Sequence, residues 1–239
     1  ASYFPSEGTR SLLVERAICD ENEFPRAGAL TALAARWPDE SIKALVRRSS
    51  TEDSDRVPRC AALEAMADSW PDDTTRALLQ ERATSDEDEY PRFTALRLLA
   101  ATWPDDETRK LLQQRAVDDR SEYPRAVALE MLAEKWPGEE VRELLRDRAT
   151  NDKSSYTRGT ALETLAGVWP DEETRSFLRE RALTDGYAAS RYGKLHSKFG
   201  EVVFLKHRKS EYVRVRKIFE AFRSPSKPIA RNHIEKAAA

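Results

Sequence analysis

The side chains best suited to bind a charged partner lie near the C-terminus of the 239-residue chain, where basic and aromatic residues alternate. Cationic groups attract carboxylates or phosphates, and aromatic rings add flat apolar faces. This segment is therefore a candidate partner-binding site, unless it docks on the acidic part of its own chain. Its basic residues are His207, Arg208, Lys209, Arg214, Arg216 and Lys217, interleaved with Tyr212, Phe219 and Phe222.

Charge divides the chain sharply. Residues 1–185 contain 27 Lys and Arg against 38 Asp and Glu, a net charge of −11, whereas residues 186–239 contain 13 against 4, a net of +9. Binding of nucleic acid depends on a positive surface that follows the phosphates. The acidic region makes nucleic acid an improbable partner, so nucleic-acid binding through the basic segment is only the alternative function.

No recognisable catalytic or metal-binding motif is present. The chain lacks the glycine-rich phosphate loops, the H-E-x-x-H zinc motif and the G-x-S-x-G nucleophile motif. Cys19 and Cys60 have no C-x-x-C spacing, and the three histidines do not approach a metal-ligand pattern. We therefore predict a protein without enzymatic activity and without a cofactor or metal in this chain.

The residues that recur most regularly are tryptophans, each followed by proline and spaced 33 residues apart. A fixed period over most of a chain is typical of a stacked-repeat solenoid, in which each unit buries its apolar face against its neighbours. We predict that the indoles lie in the core between units rather than stacking on a ligand. The five are Trp37, Trp70, Trp103, Trp136 and Trp169.

Each unit reads as two helices. Ala95, Leu96, Leu99 and Trp103 share one face of a helix that begins near a proline and ends at the tryptophan. A second helix follows, with an aspartate as its N-cap. The pattern predicts an all-α fold, a right-handed α-solenoid of helical hairpins over residues 1–195. Residues 196–239 form the basic segment, for which helices are favoured over two short strands. The predicted N-caps are Asp39, Asp72, Asp105 and Asp171.

Recurring charges suggest structural ion pairs. An aspartate and an arginine six positions later return in every unit, and the arginine can reach the loop aspartate of its own or an adjacent unit. In the second helix, Asp72 with Arg76 and Asp105 with Arg109 have the spacing of intrahelical pairs. We expect all of these charges to hold the array together. The central recurring residues are Asp86, Arg92, Asp119 and Arg125.

These motifs resemble HEAT repeats, through the helix proline, the recurring Asp and Arg, and the compact two-helix unit. More narrowly, A-L-x-x-L-A-x-x-W-P-D-x-x-x-R-x-L-L-x-x-R-A is similar to the HEAT-like arrays that follow NACHT or related STAND nucleotide-switch domains in signalling proteins. The resemblance implies a sensor arm that binds a protein or other large ligand and controls an intramolecular switch domain. ATP and Mg²⁺ would then belong only to an upstream domain.

The tryptophan register also bears on the chain's origin. Phe4 occupies the position of a tryptophan, which suggests that the first helix of that unit is missing and that the chain is a fragment of a longer protein. No apolar run approaches the roughly 18 residues that a membrane span needs, and no secretory signal is visible. The expected location is the cytoplasm, without membrane contact.

Overall fold

A computed structural model describes residues 6–184, which fold into eleven α-helices. The even-numbered helices, here called A helices, end at the repeated tryptophans, and the odd-numbered ones are called B helices. In chain order they are α1 (Glu7–Cys19), α2 (Glu23–Arg36), α3 (Glu40–Glu52), α4 (Arg56–Ser69), α5 (Asp73–Ser85), α6 (Glu89–Thr102), α7 (Asp106–Asp118), α8 (Glu122–Lys135), α9 (Glu139–Asn151), α10 (Ser155–Val168) and α11 (Glu172–Thr184).

The A helices form where capping residues and apolar spacing agree. In α6, the Asp88 side chain accepts the Tyr90 N–H and caps the first turn. Pro91 is the third residue of the helix, where its missing N–H costs nothing. Leu96 and Leu99 are fully buried on the inner face. Other A helices repeat this arrangement with leucine and alanine, so their apolar faces form the centre of the array.

The B helices begin at the predicted aspartates. Asp39, Asp72 and Asp105 each accept backbone N–H groups from the first turn of α3, α5 and α7. Asp171 accepts the Thr174 N–H at the start of α11 in the same way. The predicted N-caps are therefore confirmed, because the acceptor oxygen satisfies N–H groups that have no partner inside the helix.

The helices pack as an α-solenoid, as the sequence predicts, but the hairpins pair differently. Each B helix packs along the A helix that follows it, so α3 lies against α4 and α5 against α6, across the acidic loop. The A helix and the B helix joined by the Trp-Pro-Asp turn touch only near that turn. Successive A helices pack directly against each other from α2 to α10. The hairpin is thus B followed by A, and the tryptophan turn joins one hairpin to the next.

The first described hairpin is α1 with α2. Phe4, on which the expectation of a missing helix rests, lies outside the described residues, so the origin of the chain as a fragment stays a prediction. The chain divides after Arg175 into two units, and only the first nine residues of the second are described. The predicted boundary at residue 195 and the helices or strands expected beyond it lie outside the described residues. None of the helices in residues 6–184 has the length and hydrophobicity that a membrane crossing requires.

The tryptophans lie nearer the surface than the sequence suggests. All five are half-buried, and none belongs to the buried core. The tryptophan is the C-cap of all five A helices. Trp37, for example, leaves helical geometry at φ −137° and ψ 66° while its N–H still bonds to the Leu33 carbonyl at 2.9 Å. Trp70 reaches the preceding unit, since its indole N–H donates to the Pro38 carbonyl at 3.3 Å. We predicted a place in the core between units; the indoles are instead half-buried beside it, because a C-cap residue turns away from the buried face.

One turn departs from the pattern and gives a stability test. Gly138 takes the place of the aspartate N-cap before α9 and makes no side-chain cap. Its backbone is extended, and a Cβ added there would meet nothing closer than the Trp136 carbonyl at 4.0 Å. Gly138→Asp should therefore restore the cap and stabilise the protein by about 0.5 kcal/mol, which raises the thermal midpoint by about 1–2 °C. Gly138→Ala is the control, and equal midpoints for the two variants would contradict the capping argument.

Candidate recognition surface

The array has two edges, one at each end of its helices. The acidic edge comprises the loops that lead from B to A helices together with the first turns of the A helices. The tryptophan edge comprises the Trp-Pro-Asp turns and the first turns of the B helices. The acidic-edge loops are residues 20–22, 53–55, 86–88, 119–121 and 152–154, and the tryptophan-edge turns are residues 37–39, 70–72, 103–105, 136–138 and 169–171.

A ladder of buried ion pairs joins successive units behind the acidic edge. Arg92 donates from Nε and Nη2 to both carboxylate oxygens of Asp119, at 3.0 and 2.8 Å, and from Nη1 to the Asp86 carbonyl at 2.8 Å. Arg125 makes the same three bonds to Asp152 and to the Asp119 carbonyl. Each arginine thus bonds to a backbone carbonyl in the loop of its own unit and to the aspartate carboxylate in the loop of the next unit.

Burial makes this ladder a structural feature. The Arg92 and Asp119 side chains are 2% and 1% exposed, and those of Arg125 and Asp152 are each 2% exposed. Asp119 also accepts the Ser121 N–H at 2.9 Å, so the loop is shaped around its carboxylate. A buried pair with all its hydrogen bonds formed is tolerated, whereas one left half-paired is costly. No oxygen of these pairs is presented to an external ligand, so we propose that they serve only to fix the spacing of the units.

A second ladder lies on the tryptophan edge and differs from the sequence prediction. Arg76 bonds to Asp105 of the next unit at 2.7 Å rather than to Asp72 of its own helix. Arg109 likewise reaches Glu140 of the next unit, at 2.6 Å, instead of Asp105. The intrahelical pairing was wrong because the N-cap carboxylates turn back onto their own first-turn N–H groups and face the preceding unit. Equivalent bonds join Arg10 to Asp39, Lys43 to Asp72 and Arg142 to Asp171.

Three carboxyl groups of the two ladders, Asp72, Asp105 and Asp152, have lowered pKa values. The Lys43 ammonium, followed by the Thr74 hydroxyl, lowers the pKa of Asp72, and the Thr108 N–H lowers the pKa of Asp105. Burial alone would raise the pKa of Asp152, but hydrogen bonds from Arg125 and the Ser154 N–H outweigh it and lower that pKa. Carboxyl groups with lowered pKa values stay ionised at neutral pH. They act as fixed anions in ion pairs and do not exchange protons.

The acidic edge also carries an aromatic stack that the sequence prediction missed. Tyr90 and Tyr123 stack with ring centroids 5.7 Å apart, and Tyr123 meets Tyr156 edge-on at 5.1 Å. The Arg56 guanidinium caps the stack 4.4 Å above the Tyr90 ring. Phe24 occupies the same repeat position and is 66% exposed, the highest value among the exposed large apolar residues of the described chain. The signal was visible in the sequence as Phe24, Val57, Tyr90, Tyr123 and Tyr156, spaced 33 residues apart.

Beside Tyr123, an open groove of about 630 Å³ lies between two neighbouring acidic-edge loops. Its two arginines are already bonded, Arg92 in the buried ladder and Arg120 to the Asp86 carbonyl at 2.9 Å. The Ser121 hydroxyl bonds to the Glu89 carboxylate across the unit boundary. Carboxylates dominate the groove, which suits a cationic group. It is lined by Glu87, Asp88, Glu89, Arg92, Arg120, Ser121, Glu122 and Tyr123.

The basic residues singled out in the sequence do not enter this description. All six, from His207 to Lys217, lie outside the described residues, so their role as a partner-binding site stays a prediction. Within residues 6–184, no three His, Cys, Asp or Glu side chains are arranged to hold a metal ion.

The geometry defines a class of protein: an α-solenoid of helical repeats in which ion pairs join successive units. The family model described as HEAT repeats matches residues 49–133 and 108–192, together more than half of the chain, and the chain belongs to this family. No curated protein and no solved structure shows significant similarity to it. HEAT repeat arrays typically serve as scaffolds for protein interactions rather than as enzymes. None of these matches links the chain to NACHT or STAND proteins.

Proposed function

We propose that the protein is a non-catalytic scaffold that holds a protein partner on the acidic edge of its HEAT array. The observation that carries the proposal is the tyrosine stack, exposed at Tyr90 and half-buried at Tyr123 and Tyr156, beside a groove rich in carboxylates. The recurring arginines and aspartates are occupied in bonds between units, so they contribute rigidity. The residues of the groove vary from unit to unit, and a surface that differs along a rigid array provides specificity.

The resemblance to NACHT and STAND sensor arms adds a finer proposal. In that version, partner binding to the array controls an intramolecular nucleotide-switch domain that uses ATP and Mg²⁺, and the protein acts in cytoplasmic signalling. The complete reading frame tests this version, because a Walker A motif upstream of residue 1 is required. A frame without that motif would leave the plain scaffold.

Quantitative capture tests the scaffold itself. The full chain is immobilised and incubated with an extract of the cells that produce it. It should retain a protein in a near-stoichiometric amount, and added free chain should displace that protein. Binding should then be reproduced with the purified partner. An unrelated helical-repeat protein of similar net charge is the control. If no protein is retained above this control, the proposed function is wrong.

A further inference from the structure

We infer that the groove between α1 and α3 binds an amphipathic helix of a protein partner, which places apolar side chains in the groove and a carboxylate beside Arg48. This surface, called the α1–α3 groove, lies between the first two B helices and includes no residue of the acidic edge. The inference therefore adds a second docking surface to the one in the proposed function. It is carried by the apolar lining of the groove, by its departure from the repeat and by the bonds of its two arginines.

An apolar surface is exposed in the α1–α3 groove, which is open and has a volume of about 620 Å³. Val14 and Ile18 line it from α1, and Ala44 and Leu45 line it from α3. Ile18 is 50% exposed, so a branched apolar side chain is in contact with water here. Covering this surface removes apolar area from water, which favours association with an apolar partner.

Stacking of the units does not account for Val14 and Ile18. The equivalent B-helix positions in α3, α5, α7 and α9 are polar except at Val117, and those units still stack. The two apolar residues of α1 are therefore not required by the repeat, and they give the first groove a contact surface that the later ones lack. The equivalents of Val14 are Arg47, Gln80, Gln113 and Arg146, and those of Ile18 are Thr51, Thr84, Val117 and Thr150.

The charges of the α1–α3 groove favour a carboxylate on the partner. Arg10 lines the first half of α1 and already bonds to Asp39 at 2.6 Å and to the Ser41 hydroxyl at 2.9 Å. Arg48 lines the second half of α3, is exposed, and makes no hydrogen bond or ion pair within residues 6–184. An exposed guanidinium beside an apolar groove attracts a partner that supplies the missing anion. The other B helices α1, α5, α7 and α9 carry Glu15, Glu81, Gln114 and Asp147 at the position of Arg48.

The walls of the groove determine the form of the partner. Backbone N–H and C=O groups in the body of α1 and α3 are bonded within those helices, so the groove offers none to the backbone of a partner. An extended segment would bury unpaired backbone groups there, whereas a helix satisfies its own. From Glu7 to Ile18, α1 lines the groove over about 16 Å. A helix of about three turns, with apolar residues at i, i+4 and i+7, matches that length.

A synthetic helix tests the α1–α3 groove directly. The probe is a labelled peptide of about fifteen residues, with leucines on one face, glutamates in the first turn, and alanine and glutamine elsewhere. Its fluorescence anisotropy is measured against the full chain. The wild-type chain should bind it at least about tenfold more tightly than a peptide of the same composition in scrambled order. Failure of the ordered peptide to bind would overturn the inference.

Two variants give the groove the side chains that α5 carries at the equivalent positions. Val14→Gln combined with Ile18→Thr should weaken binding about tenfold, because it removes the apolar contact. Arg48→Glu should weaken binding about fivefold. It should also reverse the preference, so that a peptide with lysines in place of the glutamates binds more tightly than the original. Circular dichroism checks that both variants fold as the wild-type chain does. The α5 residues are Gln80, Thr84 and Glu81.

Val117 provides the matched control, because it has the repeat position of Ile18 and is 42% exposed but lies on α7. Val117→Thr should change the affinity less than about twofold. Weakening equal to that of the Val14 and Ile18 variant would mean non-specific adhesion to exposed apolar residues and would overturn the inference. It is also wrong if the Val14 and Ile18 variant binds as the wild-type chain does, or if the Arg48→Glu variant still prefers the glutamate peptide.

Two further measurements identify other occupants of the groove. Analytical ultracentrifugation that shows a dimer of the wild-type chain, lost in the Val14 and Ile18 variant, would assign the groove to a second copy. Cosedimentation with phosphatidylserine vesicles that is lost in the same variant would assign it to a membrane surface. Either result would overturn the inference, whereas a monomer that binds the peptide and not the vesicles supports it. The proposed function is tested separately, because these variants leave the acidic edge unchanged.

Discussion

Replacing Arg125 with methionine is expected to lower the free energy of unfolding by about 3–5 kcal/mol. Methionine preserves much of the apolar stem but leaves the Asp152 carboxylate, which is 2% exposed, without its cation. The Asp119 carbonyl loses a donor at the same time. Urea denaturation followed by tryptophan fluorescence and circular dichroism measures the change, and the repeated tryptophans report on units along the array.

The same substitution on the other edge is the control. Arg109 pairs with Glu140, and their side chains are 31% and 68% exposed, so Arg109→Met should cost about 0–1 kcal/mol. A loss of stability that is the same for both variants would show that burial does not distinguish the two ladders. Because solenoid units interact mainly with their neighbours, the Arg125 variant should also broaden or split the transition.

The second large effect is expected from the core of the A helices. Leu99 is completely buried, and its carbonyl accepts the Trp103 N–H at the end of α6. α6 packs against the A helices on both sides, α4 and α8. Leu99→Ala removes a fully buried side chain from this layer and leaves a cavity, which should cost about 2–5 kcal/mol. The urea midpoint is the measurement, with the slope of the transition recorded alongside it.

Leu12 provides the matched control for this substitution. It lies on α1 and is 53% exposed, so Leu12→Ala should change stability by less than about 0.5 kcal/mol. A Leu99→Ala variant that unfolds at the wild-type midpoint would contradict the proposed placement of the core between A helices.

Local features of the fold could be predicted from the sequence. Helix periodicity, the aspartate N-caps and the unit length are encoded within stretches of about a dozen residues, and the structure bears them out. The pairing of helices into hairpins could not be predicted this way. In a strictly alternating array, the same pattern fits A followed by B or B followed by A, and only packing distinguishes them.

The contacts between units also could not be predicted from the sequence. Asp72 and Arg76 have the spacing of an intrahelical pair, but Arg76 bonds to Asp105, 29 positions away from it in the chain. Such a bond depends on how two units are stacked, which spacing within one helix does not contain. The tyrosine stack could have been predicted from the sequence. A large apolar residue at one fixed repeat position near the helix N-termini forms a continuous stripe in any solenoid. Its neighbouring carboxylates become a groove only when two loops are brought side by side.

Hydrogen–deuterium exchange of the full chain with and without the purified captured partner tests the central claim most directly. Partner binding is expected to slow exchange in residues 86–90 and 119–123 of the acidic edge, with no change at the tryptophan-edge residues 103–108 and 136–141. Protection confined to the tryptophan edge, or no protection of either edge under saturating partner, would contradict it.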